Sequence, residues 1–170
     1  MRAAVGLLAA VAVLTGCTGG LEATPRGEVI PVADREPAPE VGGELVGGGT
    51  LDPTATAGVV TVVNFWGSWC GPCRVEVPEL QGIADAHPEV AVVGVDLRDQ
   101  EQFAQAFLDE QGITYPSVHD PSGELAAAFA AWPATQTPST VVIDADGLVA
   151  AAYSGPVTAA DLQRALDQLD

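Results

Sequence analysis

The sequence contains no lysine, and basic charge of any kind is scarce. Six arginines stand against 23 Asp and Glu residues, which gives a formal net charge of −17 at pH 7. This balance makes nucleic acid an implausible partner, because proteins bind phosphate backbones through Lys and Arg. We interpret the acidic side chains as a solvated surface that favours solubility, with a docking face for basic partners as the alternative.

Cysteine is also rare, with three residues in the chain. The first ends the tetrapeptide Leu14-Thr15-Gly16-Cys17, which follows an apolar run over residues 3–14 and has the pattern of a bacterial lipobox. The run is shorter than the roughly 18 residues of a membrane-spanning helix, which argues against a transmembrane anchor. We therefore predict a lipoprotein signal peptide over residues 1–16 and lipidation of Cys17. The alternative is an ordinary signal peptide in which Cys17 is incidental.

Composition divides the remaining chain into two parts. Residues 17–40 carry prolines, glycines and scattered charges without an apolar period, which predicts a flexible, lipidated tether. Residues 41–170 have the usual size of one domain. A lipid on Cys17 would hold this domain at the extracytoplasmic face of the bacterial cell membrane, with the membrane as anchor and not as substrate.

Strand-type and helix-type patterns alternate within residues 41–170, which predicts an α/β domain. The predicted elements, in order, are a hairpin over 43–52, a buried strand over 59–66, a helix over 70–87, a parallel strand over 90–95, a helix ending at Gly112, a short helix over 123–131, a hairpin over 140–153 and a last helix with a capping box. Side chains expected in the core or at helix starts are Val75, Leu80, Ile83, Ala84, Phe103 and Phe107 (core), Pro78 (a kink), Asp99 (a cap), and Thr158 with Asp161 (the capping box).

The other two cysteines lie in Trp69-Cys70-Gly71-Pro72-Cys73, at the junction between the buried strand and the first helix. Residues three apart at a helix start are close enough for their sulfurs to bond. Free backbone N–H groups and the helix dipole there stabilise a thiolate on Cys70. If Cys17 carries the lipid, Cys70 and Cys73 can form a disulfide with each other, and no free thiol remains in the chain. The pattern predicts a dithiol redox centre in which Cys70 is the nucleophile.

The segment from Asn64 to Arg74 resembles the thioredoxin superfamily, and more narrowly the extracytoplasmic TlpA/ResA/DsbE-like thiol–disulfide oxidoreductases. Pro78, an αβ insertion over residues 96–118 and the segment Thr137-Pro138-Ser139-Thr140 extend the resemblance. It implies a thioredoxin-like α/β fold. Such a fold has a mixed central sheet flanked by helices, an N-terminal β-hairpin and a central αβ insertion.

The same resemblance assigns roles to residues around the dithiol. Pro138 would be a cis-proline opposite the sulfurs that, with Thr137, leaves backbone groups free to bind a client segment. Pro133 is a rival candidate for this proline, and Ser139 to Ile143 follow Pro138 directly as a strand. Gly71 and Pro72 would fix the loop between the cysteines. Trp69 would shape the client-binding surface, whereas Trp66 could equally belong to the core.

Glu76 lies three residues after Cys73 and is similar to an acidic residue of ResA-like proteins. The resemblance implies that its carboxylate exchanges a proton with Cys73, and a solvated helix glutamate is the alternative. Asn64 stands where many cytoplasmic thioredoxins carry a buried Asp. Because Asn cannot titrate, that proton-transfer role would fall to Glu76 or to water.

The resemblance implies a thiol–disulfide oxidoreductase that acts on protein clients and a membrane redox partner, with catalytic Cys70, Cys73 and Glu76. It offers two directions, a reductant of apocytochrome c and an oxidant of secreted proteins, and Glu76 favours the reductant. We expect a monomer that uses no cofactor or metal. A copper-binding metallochaperone is the alternative of another class, although two thiols without a nearby His are an incomplete ligand set.

Two further interpretations concern single residues. A peroxidase of the peroxiredoxin type is disfavoured, because Gly67 stands where that class carries a threonine three residues before its cysteine. His87 and His119 are isolated in the sequence, so we expect both to be surface residues.

Overall fold

The computed structural model describes residues 23–132 and 136–169. Within these ranges the strands are β1 (Gly43–Glu44), β2 (Thr50–Leu51), β3 (Thr61–Trp66), β4 (Ala91–Leu97), β5 (Ser117–Asp120), β6 (Ser139–Ile143) and β7 (Val149–Ser154). The α-helices are α1 (Cys73–Ala86), α2 (Glu101–Gln111), α3 (Glu124–Ala128) and α4 (Ala159–Leu166). Among the residues described, none of these helices is long and apolar enough to cross a membrane.

Five strands form one mixed sheet in the order β5-β4-β3-β6-β7. β3 runs parallel to β4 and antiparallel to β6, and all six of its residues are buried. β1 and β2 pair as a separate antiparallel hairpin. The predicted α/β fold, with its mixed sheet, N-terminal hairpin and αβ insertion, is confirmed.

The two faces of the sheet carry separate apolar cores. One core contains buried side chains of α1, α2 and α4 packed on alternate residues of β3, such as Val62 and Trp66. The other places α3 with Phe129 and Trp132 against the intervening residues, such as Val63 and Phe65. This alternation follows from the pleat of a strand, in which successive side chains point to opposite faces. The dithiol and Glu76 belong to the α1 face.

Several local predictions are confirmed because they depend on neighbouring residues alone. Gly112 ends α2 in the left-handed conformation, with φ 67°. Thr158 and Asp161 form a capping box at the start of α4. β6 and β7 form the predicted hairpin through the turn at residues 144–147.

Other local predictions are wrong. α1 begins at Cys73, so Cys70 precedes the helix, and α3 is shorter than predicted. Val75 is 72% exposed because the buried face of α1 is carried by Cys73, Glu76, Val77, Leu80 and Ile83. Phe103 is half exposed for the same reason, since α2 buries Ala104, Phe107 and Leu108. Asp99 does not cap α2 across its first turn; Gln100 occupies the cap position, without a side-chain hydrogen bond.

Residues 23–40, predicted as part of a flexible tether, instead form an arm that packs along β7. The Ile30 N–H donates to Ala150 O at 2.6 Å, and the Val149 N–H donates to Glu36 O at 2.8 Å. Arg35 forms a buried ion pair with Asp144 at 2.7 Å. The arm therefore covers the outer edge of the sheet, and the tether prediction is wrong for these residues. Cys17 and the predicted signal peptide lie outside the described residues.

Candidate active site

The dithiol lies where β3 ends and α1 begins, as the sequence predicts. Cys70 and Cys73 form a disulfide with an S–S distance of 2.04 Å and a Cα–Cα distance of 5.4 Å. The Cys70 N–H donates to Gly67 O at 3.0 Å, which closes the turn before the first sulfur. Gly71 and Pro72, between the cysteines, are exposed.

The two sulfurs differ in access and in hydrogen bonding. Cys70 is 4% exposed, whereas Cys73 is fully buried. The Cys73 N–H, at the start of α1, donates to Cys70 Sγ at 3.2 Å. A hydrogen bond from a helix N-terminus stabilises a thiolate, because the N–H groups there carry partial positive charge. In the reduced protein this geometry favours Cys70 as the attacking sulfur.

Glu76 is fully buried one helical turn after Cys73, so its alternative as a solvated residue is wrong. Its carboxylate accepts three kinds of donor, from Val157 N at 3.0 Å, Asn64 Nδ2 at 3.1 Å and Thr140 Oγ1 at 3.2 Å. Burial raises the pKa of Glu76, against the lowering effect of these hydrogen bonds. The site therefore contains a buried carboxyl that retains a proton more readily than an exposed glutamate.

Thr140 and Val157 are partners of Glu76 that no local sequence pattern identifies. Thr140 lies directly opposite Asn64 in the antiparallel pairing of β6 with β3, and Asn64 also donates to Thr140 Oγ1 at 3.0 Å. That register depends on contacts between distant segments. The sequence signal was the presence of polar residues in two mainly apolar strands, among them Asn64 in β3 and Thr140 in β6.

The peptide bond between Thr137 and Pro138 is cis, as predicted. Pro138 is buried, and its carbonyl accepts a hydrogen bond from the Gly155 N–H at 3.0 Å. Ser139 pairs with Phe65 of β3, so Pro138 lies at the same end of the sheet as the dithiol loop. Pro133, the rival candidate, lies outside the described residues.

The turn after β4 holds the loop that precedes Cys70. The Ser68 N–H donates to Asp99 Oδ2 at 2.6 Å, and Trp69 Nε1 donates to Leu97 O at 3.1 Å. Arg98, between these two acceptors, is the one described non-glycine residue with positive φ, 51°. Strained backbone of this kind often occurs near functional sites.

Exposed apolar side chains lie near the dithiol. Trp69 is 56% exposed, and with Val75 and Phe103 it forms what we call the apolar rim. A shallow groove reaches from Ser68 to Phe103, and Arg74 lies beside it with its guanidinium 5.2 Å from the Phe107 ring centroid. Trp66, by contrast, is fully buried and stacks on Phe107 at 4.9 Å, so it belongs to the core.

The histidines are not simple surface residues. His119 is largely buried and pairs with the fully buried Asp96, with 2.7 Å between Nδ1 and Oδ2. Burial raises the pKa of Asp96 to about 7, with Asp99 contributing to the rise and His119 opposing it. His87 contacts Gln163 and Glu89. Within residues 23–132 and 136–169, no three His, Cys, Asp or Glu side chains are grouped to hold a metal ion.

Comparison with known proteins agrees with this geometry. The sequence matches the AhpC/TSA family over residues 35–152. It is 40% identical, over 60% of its own length, to a thiol:disulfide interchange protein, a DsbE homologue from Paracoccus denitrificans. The match spans 54% of that relative, so the chain covers only about half of its length.

Two solved structures share the fold over most of the chain. A DsbF homologue from Corynebacterium diphtheriae superposes with a TM-score of 0.78 at 35% identity, covering 83% of this chain and 91% of that one. A secreted thiol-disulfide isomerase from Corynebacterium glutamicum gives a TM-score of 0.76 at 34% identity, covering 84% and 90%. From the family match, the fold and the paired cysteines together, we conclude that this chain belongs to the AhpC/TSA family and has a thioredoxin-like fold similar to that of DsbE-type thiol:disulfide interchange proteins.

Proposed function

We propose that this protein is an extracytoplasmic thiol–disulfide oxidoreductase, tethered to the membrane through Cys17, that reduces disulfides in protein clients such as apocytochrome c. One observation carries the proposal. The sulfur of Cys70, the more exposed of the two cysteines at 4%, accepts a hydrogen bond from the N-terminus of α1, while Cys73 and Glu76 are completely buried.

In the proposed reaction, the Cys70 thiolate attacks one sulfur of a client disulfide. A bond forms between Cys70 Sγ and that sulfur, the client S–S bond breaks, and the other client sulfur leaves as a thiolate that takes up a proton. The Cys73 thiol then loses its proton and its sulfur attacks Cys70 Sγ. The mixed disulfide breaks, and the client leaves with both sulfurs reduced. The dithiol has then given two electrons to the client, and a dithiol partner at the membrane restores it by the reverse exchange.

Glu76 has a defined task in the second step. The Cys73 thiol must lose its proton before it attacks, and this thiol has no surface exposed to bulk solvent. Glu76 is one helical turn away, and its raised pKa makes it a stronger base than an exposed glutamate, which suits a group that accepts and returns a proton. The glutamate is thus proposed as the base for Cys73.

The client segment is proposed to bind between the apolar rim and the cis-proline. Thr137 is partly exposed and precedes Pro138, so its backbone can pair with an extended strand of the client. Trp69 offers a large apolar surface beside Cys70, and the exposed Gly71-Pro72 turn lets a client approach the sulfur. Replacement of Thr137 by proline would remove its N–H and weaken client binding.

Membrane tethering is proposed from the lipobox alone. Because the arm begins to pack at Thr24, the residues from Cys17 to 23 would span at most about 25 Å when extended. The dithiol would then act on partners close to the membrane surface. Substitution Cys17→Ser should release the protein from the membrane fraction, and unchanged membrane association would refute the anchor.

The direction of exchange is tested by the reduction potential of the chain from residue 23 onward. Equilibration with glutathione or dithiothreitol buffers, followed by Trp fluorescence, should give a value near or below about −250 mV, which is typical of a reductant. A value near or above about −150 mV would contradict the proposed direction and identify an oxidant of secreted-protein thiols. Failure of a Cys73→Ser variant to form any mixed disulfide would contradict the exchange chemistry itself.

A further inference from the structure

The arm over residues 23–40 reaches the candidate active site through one side chain, Arg26. Its guanidinium donates from Nε to Pro156 O at 2.9 Å and from Nη2 to Ser154 O at 3.0 Å. Both carbonyls belong to residues 154–157, which run from the end of β7 into the loop before α4. A planar guanidinium that engages two carbonyls of one loop restricts the orientation of that loop more strongly than a single flexible donor can.

The two peptide groups held by Arg26 are the ones that contact the site. The Ser154 carbonyl shares a rigid peptide plane with the Gly155 N–H, which donates to Pro138 O at 3.0 Å. The Pro156 carbonyl shares a plane with the Val157 N–H, which donates to Glu76 Oε1 at 3.0 Å. Each plane is therefore held by Arg26 at its oxygen and by a site residue at its nitrogen. A cation at the carbonyl also polarises the N–H of the same peptide and strengthens its hydrogen bond.

The arm around Arg26 is itself fixed to the body of the protein. Gly27 has φ +78°, and a Cβ atom at this position would lie 2.6 Å from the Arg164 guanidinium. Gln168 Nε2 donates to Gly27 O at 2.9 Å, and the Tyr153 hydroxyl donates to Glu28 O at 2.7 Å. Arg26 thus starts from a backbone position that α4 and β7 determine, although its side chain is exposed.

We propose that Arg26 is a positioning residue of the redox site, which holds the loop at residues 154–157 so that it presents one N–H to Glu76 and one to Pro138. The inference rests on the proposed function and extends it to a segment outside the dithiol and its helix. If Arg26 has this role, the arm over residues 23–40 is part of the redox site.

Charge contributes in the same direction as position. The titratable and charged groups that face Glu76 are Arg26 from the arm, Tyr115 from the segment before β5 and Cys73 on the same helix. Arg26 lowers the pKa of Glu76, against the burial that raises it, and the Val157 N–H also lowers it. Loss of the guanidinium would weaken both effects, so the pKa of Glu76 would rise further.

The test compares three full-length variants with the wild type: Arg26→Gln, Arg26→Lys and, as the control, Arg35→Gln. Arg35 holds the same arm but contacts Asp144 and Ile30 O, with no hydrogen bond to residues 154–157. The readouts are hydrogen exchange at the Gly155 and Val157 amides and the rate at which the mixed disulfide formed with oxidised glutathione is resolved between pH 5 and 9. The unfolding free energy of each variant is measured beside them.

Arg26→Gln should raise amide exchange at Gly155 and Val157, slow the resolving step about tenfold, and move its pH midpoint upward by about half a unit. Arg26→Lys keeps the positive charge but not the planar guanidinium. It should therefore slow the resolving step with a smaller shift of the pH midpoint of that step. Arg35→Gln should lose stability while its midpoint stays at the wild-type value. An Arg26→Gln profile that matches wild type, or that matches Arg35→Gln at equal stability, would overturn the inference. Absence of thiol–disulfide exchange in the wild type would instead refute the proposed function.

Discussion

The two cysteines of the dithiol differ in exposure and in hydrogen bonding, although only two residues separate them. Cys70 keeps 4% of its surface exposed, and its sulfur accepts a hydrogen bond from the N-terminal N–H of α1. Cys73 has no exposed surface and lies on the helix face that also carries the buried Glu76. In the proposed reaction, Cys70 is the sulfur that contacts a client protein, and Cys73 is protected from that contact.

Because of this difference, one short motif can support two chemical steps. An accessible, stabilised thiolate can attack a client without waiting for deprotonation. A buried thiol cannot attack at random, and it needs a nearby base at the moment when the mixed disulfide must be resolved. In the proposed reaction, the surroundings of Cys70 therefore govern recognition and attack, whereas those of Cys73 govern release.

The largest expected effect comes from exchanging each sulfur for oxygen. Cys70→Ser should abolish client reduction, because the attacking thiolate is lost. Cys73→Ser should retain attack but accumulate mixed disulfides, since the resolving sulfur is missing. Non-reducing electrophoresis with a disulfide-bonded client distinguishes the two outcomes. Equal trapping by both variants would remove the distinction between the sulfurs.

Substitution Glu76→Gln should slow resolution on the order of tenfold to a hundredfold near pH 7, because the proposed base is lost while its size is kept. The initial attack by Cys70 should change little. Rapid-mixing kinetics separate the two steps, and Glu79→Gln on the same helix is the matched control. If both variants slow resolution equally, the role assigned to Glu76 is wrong.

Asp96 is a second buried carboxyl on the same sheet face as Glu76, but it contacts His119. A substitution of Asp96 therefore tests the effect of a buried carboxyl on stability separately from the redox chemistry. Its pKa is raised from 3.8 to about 7 by burial, so the folded protein holds a proton that the unfolded chain releases. This contribution to stability is full below about pH 4 and is lost as the pH rises through about 7.

The variant Asp96→Asn cannot titrate at this position, so its unfolding free energy should fall less than that of wild type between pH 4 and 7. Denaturant unfolding at several pH values measures this slope. The resolving rate should stay at the wild-type value. A change in that rate would place Asp96 within the surroundings of Cys73.

Substitutions in the apolar rim should change the stability of the protein least. Val75→Ser removes an exposed methyl pair, so the free energy of unfolding should change by no more than about 0.5 kcal/mol. The KM for a protein client should nevertheless rise, because the rim is proposed to contact it. Val32→Ser on the arm, where the side chain is 69% exposed, is the control for a similar change far from the rim. Equal KM values for both variants would exclude Val75 from recognition.

Local sequence patterns predicted much of this fold. The continuous apolar run of β3, the capping box at Thr158 and the left-handed Gly112 each depend on a few neighbouring residues. The dithiol was predicted for the same reason, since its spacing and its place after a strand are both local. The cis peptide at Pro138 was expected only from the family resemblance.

Features that depend on distant segments could not be predicted. The proline-rich arm looked like a tether because its hydrogen bonds to β7 join residues more than 100 positions apart, such as Ile30 and Ala150. Val75 and Phe103 looked like core residues because hydrophobicity alone does not say which helix face meets the sheet. The donors around Glu76 come from β3, β6 and the loop before α4, so only the folded chain brings them together.

The most direct measurement is the partition of alkylation between the two thiols of the reduced protein. Limiting iodoacetamide at pH 7, followed by peptide mass spectrometry, requires no substitution and reports each sulfur separately. We predict that Cys70 is modified first and that Cys73 reacts far more slowly until the protein is unfolded. Equal modification of the two cysteines, or faster modification of Cys73, would contradict the division between an attacking and a resolving sulfur.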